Sequence, residues 1–353
     1  MKALILAGGE GTRFWPASRK SRPKQFLRIS GQRTLFQETL ARLQPLLKPK
    51  DIFVVCGPQH LAELKRQVPG LHQNRILVEP MARGTAACIG FAALHFKRRF
   101  PSEVMAVFPS DHVIRNSEEL HQGLKAAEEL ARQEWLVTFG IQPSFPATGY
   151  GYLERGEPLG RVGGLAAYQV ARFVEKPDIE TARALAGSGR HEWNSGMFAW
   201  RVETILEEIK ALMPELHAAL CEVDSHWGEE SYSRQAFADL KAISIDTGVM
   251  EKASRVAVIP ARLGWDDVGT WKALRQVLAR DDRDNVSNSR YIGIDSRGCV
   301  LHATQGKLIA LVGVDNLVVV ETPGAMLISD RDRVEEVREV VKELKKQGLG
   351  EYL

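Results

Sequence analysis

The chain opens on a short apolar run, Lys2 to Ala7 (KALILA), with the length and composition of a buried strand. Apolar positions then recur in a helical stripe at Leu35, Phe36, Leu40, Leu43 and Leu47, followed by an apolar run at Ile52 to Cys56 and a helix reaching about Gln67. Ile76 to Val78, a helix from about Thr85 to Lys97, Val104 to Phe108, a helix near Glu118 to Arg132, and Leu136 to Ile141 continue the series. Strands alternating with helices of this length predict an α/β fold built on a doubly wound, mostly parallel sheet. Ligands of such sheets bind beyond the carboxyl ends of the strands. The glycine-rich turn after the first strand and Pro109-Ser110-Asp111 after the fourth both fall there.

From Tyr150 to about Asp282 the pattern is less regular, with strand-like pieces at Tyr168 to Val174 and Met197 to Arg201, and it reads as the second half of the same domain. After Asp281-Asp282 the character changes to short β-rich runs broken by Gly and Asn: Tyr291 to Ile294, Cys299 to His302, Leu308 to Val314, Leu317 to Glu321 and Ala325 to Ile328. The expected division is therefore a first domain over residues 1–280 and a small β unit with a terminal helix over 281–353. In that helix, Asp330 to Lys346, Val334, Val337, Val341 and Leu344 form one apolar stripe. Packing on its own domain is the default for such a stripe, and a homodimer contact is the sharper alternative.

At 353 residues, with 44% hydrophobic and 26% charged residues, the chain can bury one large core and a smaller second unit. A net charge of +3 is too small to imply a nucleic-acid partner, and the positive charge gathers near the N-terminus. A small anionic ligand is the simpler expectation. Cys56, Cys88, Cys221 and Cys299 are far apart and form no C-x-x-C pair, so reduced thiols and a cytoplasmic location are expected. No apolar stretch approaches the ~20 residues needed to span a bilayer, and the N-terminal run is too short for a signal sequence, so no membrane partner is expected.

The chemistry concentrates in LAGGEGTRFWPASRKSRPKQF, Leu6 to Phe26. Gly8, Gly9 and Gly11 allow backbone N–H groups to converge on an anion, and Arg13, Arg19, Lys20, Arg22, Lys24 and Arg28 follow closely. Two well-known glycine motifs are excluded by inspection. A P-loop would close on Gly-Lys-Ser/Thr, whereas Thr12 and Arg13 follow Gly11; a dinucleotide fingerprint needs a third small residue where Phe14 stands.

The stretch GGxGTRxWPxSRxxxPKQF resembles the N-terminal signature of the sugar-1-phosphate nucleotidyltransferases, and its Phe-Trp-Pro and Pro-Lys-Gln-Phe pieces look like the guanylyltransferase branch that acts on mannose 1-phosphate. The resemblance spans about residues 1 to 345. It implies a Rossmann-like nucleotide-diphospho-sugar transferase fold, followed by a short left-handed β-helix. It also implies GTP and α-D-mannose 1-phosphate as substrates, GDP-mannose and pyrophosphate as products, and Mg²⁺ as cofactor, with Mn²⁺ or Co²⁺ as alternatives. Carried over residue by residue, the catalytic set is Arg13, Lys24, Asp111 and Asp267, with Asp111 (FPSDH) and Asp267 (GWDDVGTW) as metal ligands. The nucleotide would meet Leu6, Gly8, Gly9, Gly11, Thr12, Arg13, Arg19, Lys24, Glu79, Pro80, Thr85, Ala86 and Ser110, and the sugar phosphate would meet Gly149, Glu175, Lys176 and Asn194.

Such a reaction needs no general base, because a phosphate monoester with a second pKa near ~6 is already mostly a dianion at neutral pH. The barrier is electrostatic, so cations and a metal ion carry the catalysis. Gly84 departs from the family's usual Asn, and Thr247-Gly248 departs from Tyr-Ala. Two rival readings stay open: the same chemistry with another sugar phosphate or nucleotide, and a catalytically silent paralogue that senses GDP-mannose.

Overall fold

The computed structural model describes every residue except Glu10, Ser30 and Gln305. Its first half follows the apolar pattern closely. Strands β1 (Lys2–Leu6), β2 (Ile52–Cys56), β3 (Ile76–Val78), β4 (Val104–Pro109) and β5 (Leu136–Ile141) alternate with helices α1 (Leu35–Leu43), α2 (Leu61–Gln67), α3 (Gly84–Arg99) and α4 (Ser117–Arg132). Local signals set the helix starts. Thr34 and Gln37 close a reciprocal capping box ahead of α1, and the Asn116 side chain accepts from Glu119 N at 3.1 Å ahead of α4.

A hairpin of long strands, β6 (Tyr152–Val162) and β7 (Leu165–Val174), then leads through α5 (Ile179–Gly187) to β8 (His191–Arg201). Helices α6 (Val202–Leu212), α7 (Pro214–Ser225) and α8 (Glu230–Ala238) precede β9 (Val256–Pro260), and the short α9 (Leu274–Val277) follows it. The sheet order is β3-β2-β1-β4-β8-β5-β9-β7-β6. β3, β2, β1 and β4 run parallel, as do β5 and β9, while β8 enters antiparallel between β4 and β5. Alternate residues of each central strand feed different cores: Ala3, Ile5, Ile52 and Val54 one face, Leu4, Phe53 and Val55 the other. That double burial is why these strands read as unbroken apolar runs.

The C-terminal strands are β10 (Val286–Ser287), β11 (Arg290–Ile294), β12 (Val300–His302), β13 (Leu308–Val312), β14 (Leu317–Thr322) and β15 (Ala325–Asp330). Parallel partners in the last two turns lie eighteen positions apart, Arg290 with Leu308 and Val300 with Val318, so the chain coils upon itself. Cys299, Leu301, Leu311 and Val319 fill the coil. β15 closes it antiparallel to β14.

Where one terminal helix was expected from Asp330, a 3-10 segment Arg331–Glu336 comes first and α10 (Val337–Lys346) follows, because the Asp330 side chain caps the tighter turn by accepting from Asp332 N at 2.7 Å. Val334, Val337 and Val341 are buried and Leu344 is partly so. The stripe packs against Phe14, Trp15, Leu27, Ile29, Val268 and Trp271 of the first part of the chain, together with Val300, Val318 and Val320 of the coil. No helix among the described residues is long and apolar enough to cross a membrane.

Candidate active site

The glycine-rich turn leaves the carboxyl end of β1 and bends back over the sheet. Gly11 sits at φ +60°, and a Cβ there would stand 2.6 Å from Lys24 Cβ and 2.8 Å from Lys24 N. Only glycine lets the two ends of the loop approach so closely. Two side chains fix the return: Ser18 Oγ donates to Gly11 O at 2.8 Å, and Gln25 Nε2 to Ala7 O at 3.0 Å. Gly8 and Gly9 remain exposed at the rim.

Lys24 is the centre of the arrangement. Its side chain is 8% exposed, and its ammonium donates to Asp111 Oδ2 at 2.7 Å and to the Asp267 carbonyl at 2.6 Å. Residues from three distant parts of the chain thus converge on one cation. Burial pushes the Asp111 carboxyl up, but Lys24, His112 and Arg13 outweigh it and hold Asp111 below the usual carboxylate range. A buried ammonium and an ionised carboxylate therefore face each other at the mouth of β4.

The second acidic turn is strained and tightly held. Val268, a β-branched residue, sits at φ +46°, while Val268 N donates to Asp266 Oδ1 at 2.6 Å and Gly269 N to Asp267 Oδ1 at 3.0 Å. Asp266 also pairs through its backbone with Val113, so the turn is pinned beside Asp111. Asp266 is buried and burial lifts its carboxyl to about 6, whereas Asp267 turns its side chain outward to accept from the Tyr150 hydroxyl at 2.9 Å. A Cβ on Gly269 would lie 3.0 Å from Asp267 Oδ2 and 3.2 Å from Arg13 Nη1, which places the Arg13 guanidinium at this turn.

Among the described residues no group of three or more His, Cys, Asp and Glu side chains is gathered to hold a metal ion. A Mg²⁺ ion bound together with phosphates needs only one or two carboxylates, because phosphate oxygens and waters complete its octahedron. Asp111 and Asp267 suit that donor set: Asp267 Oδ2 accepts no hydrogen bond among the described residues.

The expected sugar-side residues also converge. Asn194 Nδ2 donates to Asp246 Oδ1 at 2.7 Å, its Oδ1 accepts from Thr138 Oγ1 at 2.9 Å, and its backbone N donates to Gly151 O at 2.8 Å. Glu175 N donates to Glu251 Oε1 at 2.9 Å, and the exposed Lys176 pairs with the Glu175 carboxylate. Burial, then the Glu175 charge, lift Asp246 to about 6. A Cβ on Gly149 would meet nothing within 4 Å, so nothing in the protein itself requires glycine there. Tyr150 forms a wall with Trp193 and Trp265, at ring distances of 5.1 and 5.2 Å, between the Asp267 turn and this region.

Of the residues expected at the nucleotide, Leu6 O accepts from Ser110 N at 3.3 Å. Glu79 is buried and burial raises its carboxyl to about 6, against a hydrogen bond from the Cys88 thiol; its Oε1 is 3.4 Å from where a Gly8 Cβ would stand. Pro80 follows, half-buried, and Thr12 opens the 3-10 turn that carries Arg13. The polar groups of Thr85 and Ala86 are engaged with residues 243–245: Thr85 Oγ1 accepts from Ile245 N at 2.9 Å and Ala86 N donates to Ile243 O at 3.2 Å. Arg19 stands apart from Lys24, Asp111 and Asp267. It donates to Ser18 O at 3.3 Å, lies 5.8 Å from the Trp15 ring, and borders Val341, Lys345 and Leu353.

Residues 2–284 match the family model described as Nucleotidyl transferase, and residues 289–344 match the MannoseP isomerase/GMP-like beta-helix domain. The chain belongs to the nucleotidyl transferase family. A mannose-1-phosphate guanylyltransferase of Klebsiella pneumoniae is 40% identical over 99% of this chain and 75% of its own length. Another, of Escherichia coli (strain K12), is 39% identical over 99% and 74%. A crystal structure from Thermus thermophilus, described as a mannose-1-phosphate geranyltransferase, superposes with a TM-score of 0.88 at 36% identity, covering 98% of this chain and 99% of that one.

Within the nucleotidyl transferase fold, the glycines at 84 and 248 have steric causes, while nothing in the structure explains Thr247 where the family has Tyr. Gly84 is at φ +81°, and a Cβ would stand 2.3 Å from Ile243 O; Gly248 packs so closely on Met213 that a Cβ would meet Sδ at 2.4 Å. Sequence reasoning missed Thr138, Tyr150, Asp246 and Glu251 as members of the site. Tyr150 directly follows Gly149, and Asp246 and Glu251 flank Thr247-Gly248 in the run Asp246 to Lys252, but nothing local signals their partners.

Proposed function

We propose that this nucleotidyl transferase joins GTP and α-D-mannose 1-phosphate, forming GDP-mannose and releasing pyrophosphate. A non-bridging oxygen of the sugar phosphate forms a bond to the α-phosphorus of GTP. The bond from that phosphorus to the α,β-bridging oxygen breaks, and the electron pair leaves with pyrophosphate. The observation that carries this reading is the meeting of Lys24 with Asp111 and Asp267 at the strand ends, beside Arg13 and beneath an exposed glycine turn. It supplies fixed cations where anionic charge accumulates, as the chemistry requires.

In this reading residues 1–280 form the transferase domain and 281–353 the β-helix domain. The turn from Gly8 to Arg13 wraps the triphosphate, and Lys24 stands nearest the reacting α-phosphate. Asp111 and Asp267 would hold a divalent cation, Mg²⁺ or alternatively Mn²⁺ or Co²⁺, which when bound neutralises phosphate charge and orients the leaving group. Glu79, with the backbone around Pro80, Thr85 and Ala86, faces the base; a carboxylate there can accept from guanine N1–H and N2–H₂. Gly149 lets its main chain approach the sugar, Glu175 and Asn194 read hydroxyls, and Lys176 takes the sugar phosphate. The open space around Gly149 leaves room for a ligand to approach its main chain, which supports that role.

The test is Mg²⁺-dependent pyrophosphate release, comparing kcat/KM for GTP, ATP, UTP and dTTP with mannose 1-phosphate, and for mannose against glucose 1-phosphate with GTP. GTP and mannose 1-phosphate should be the preferred pair. Preference for another base or sugar would replace the substrates while keeping the chemistry, and no release with any pair would sink the reading.

A further inference from the structure

The loop from Gly11 to Lys24 has two faces. One presents Arg13 and Lys24 to the Asp111 and Asp267 group. The other is apolar, and it is covered by the C-terminal segment of the same chain: Phe14 and Trp15 share a buried cluster with Val334, Val337 and Val341. Two hydrogen bonds fix this contact. Trp15 Nε1 donates to Tyr352 O at 2.8 Å, and Trp15 O accepts from Trp271 Nε1 at 3.1 Å. The Trp271 ring lies 4.8 Å from Phe14 and 4.9 Å from His302 of the coil, and it is fully buried a few residues beyond Asp267.

Trp15 therefore joins three bodies: the glycine-rich loop, the acidic turn and the C-terminal segment. Left to itself, a loop entered through glycines at φ +96° and +60° would sample many conformations. A displacement of only ~1 Å in groups that position reacting atoms can cost ~10²-fold in rate. We infer that Trp15 is a positioning residue, held by the main chain of Tyr352, which keeps Arg13 and Lys24 in register with Asp267. The inference rests on the transferase reading for its kinetic consequence. It rests on the contacts alone for its structural one.

Trp15→Phe, a chain ending at Gly348, and the two combined separate these consequences. Each single change should lower kcat/KM for GTP about tenfold, with KM for mannose 1-phosphate within about twofold of wild type. The double change should be no worse than the poorer single one, because both remove the same hydrogen bond. Trypsin should also cut after Arg19 and Lys20 faster in both single variants than in wild type, at temperatures where each stays folded, with the sites read by mass spectrometry. Unchanged cleavage, losses that multiply, or a KM for mannose 1-phosphate raised as much as kcat/KM for GTP falls would overturn the inference. Should the wild type turn over no substrate pair, the transferase reading fails, and the cleavage pattern still decides whether Trp15 holds the loop. If Trp15→Phe does not fold, the shortened chain carries the comparison.

Discussion

Asp267 and Glu79 illustrate two ways in which position sets the behaviour of a carboxylate. Asp267 Oδ1 accepts from Tyr150 and Gly269, and an amide oxygen can keep both bonds, so Asp267→Asn should leave the fold intact. Turnover should fall by at least about 10²-fold with the thermal midpoint changed by less than about 3 °C. Near-normal pyrophosphate release by that variant would remove Asp267 from the site. Glu79 ordinarily titrates at 4.5 and is lifted to about 6 by burial, so its charged form is disfavoured in the folded state. The linked stability is present below pH 4.5 and is lost as pH rises through 6. Above that, the buried charge costs about 2 kcal/mol. Glu79→Gln should therefore be more stable than wild type by about 2 kcal/mol at pH 7 and indistinguishable from it near pH 4 in urea melts. An equal advantage at both pH values would mean that Glu79 does not titrate in this window.

At the scale of elements, the segment from Ile243 to Glu251 ties the two ends of the site together. It is bonded to Thr85 and Ala86 at the start of α3 on one side and to Asn194 and Glu175 on the other. Motifs within one stretch were legible in the sequence; this bridge was not, because its partners are far along the chain and each bond uses a backbone group or a side chain with no local signature. The same bridge explains the two unusual glycines and ranks their substitutions. Gly84→Ala or Gly84→Asn meets the rigid Ile243 carbonyl at a positive φ, and should cost about 3 kcal/mol or more in denaturant melts. Gly248→Ala meets the end of a flexible Met213 side chain and should cost less, about 1–2 kcal/mol. The reverse order would mean that the Ile243 segment yields more easily than the Met213 side chain.

At the scale of the whole molecule, the apolar stripe of α10 is already occupied within the chain. Packing on its own domain was the default expectation, but its partners include the glycine-rich loop of the first part of the chain as well as the coil, and a homodimer, if formed, would use another surface. The exposed face of Ile292, Ile294, Leu308 and Val312 on β11 and β13 is one such surface. Val341→Asp should lower thermal stability and GTP turnover together, without changing the mass found by light scattering. A chain cut at residue 280 should be insoluble or molten, judged by near-UV circular dichroism, because Phe14, Trp15 and Trp271 would lose their cover. A native-like, active fragment would show that the shared cluster is dispensable.

The sequence by itself determined the alternation of strands and helices, the β-rich character of the last part, and the residue types of the site. These follow from short-range periodicity and from chemistry carried by contiguous motifs. Only the tertiary structure decided that β8 enters the sheet antiparallel, that Lys24 meets both acidic turns, and that the terminal helix braces the glycine-rich loop. Those contacts join residues far apart in sequence, with Trp15 and Tyr352 at opposite ends of the described chain. They depend on how whole faces fit once buried, and no local pattern of apolar and polar residues encodes which distant face will be covered.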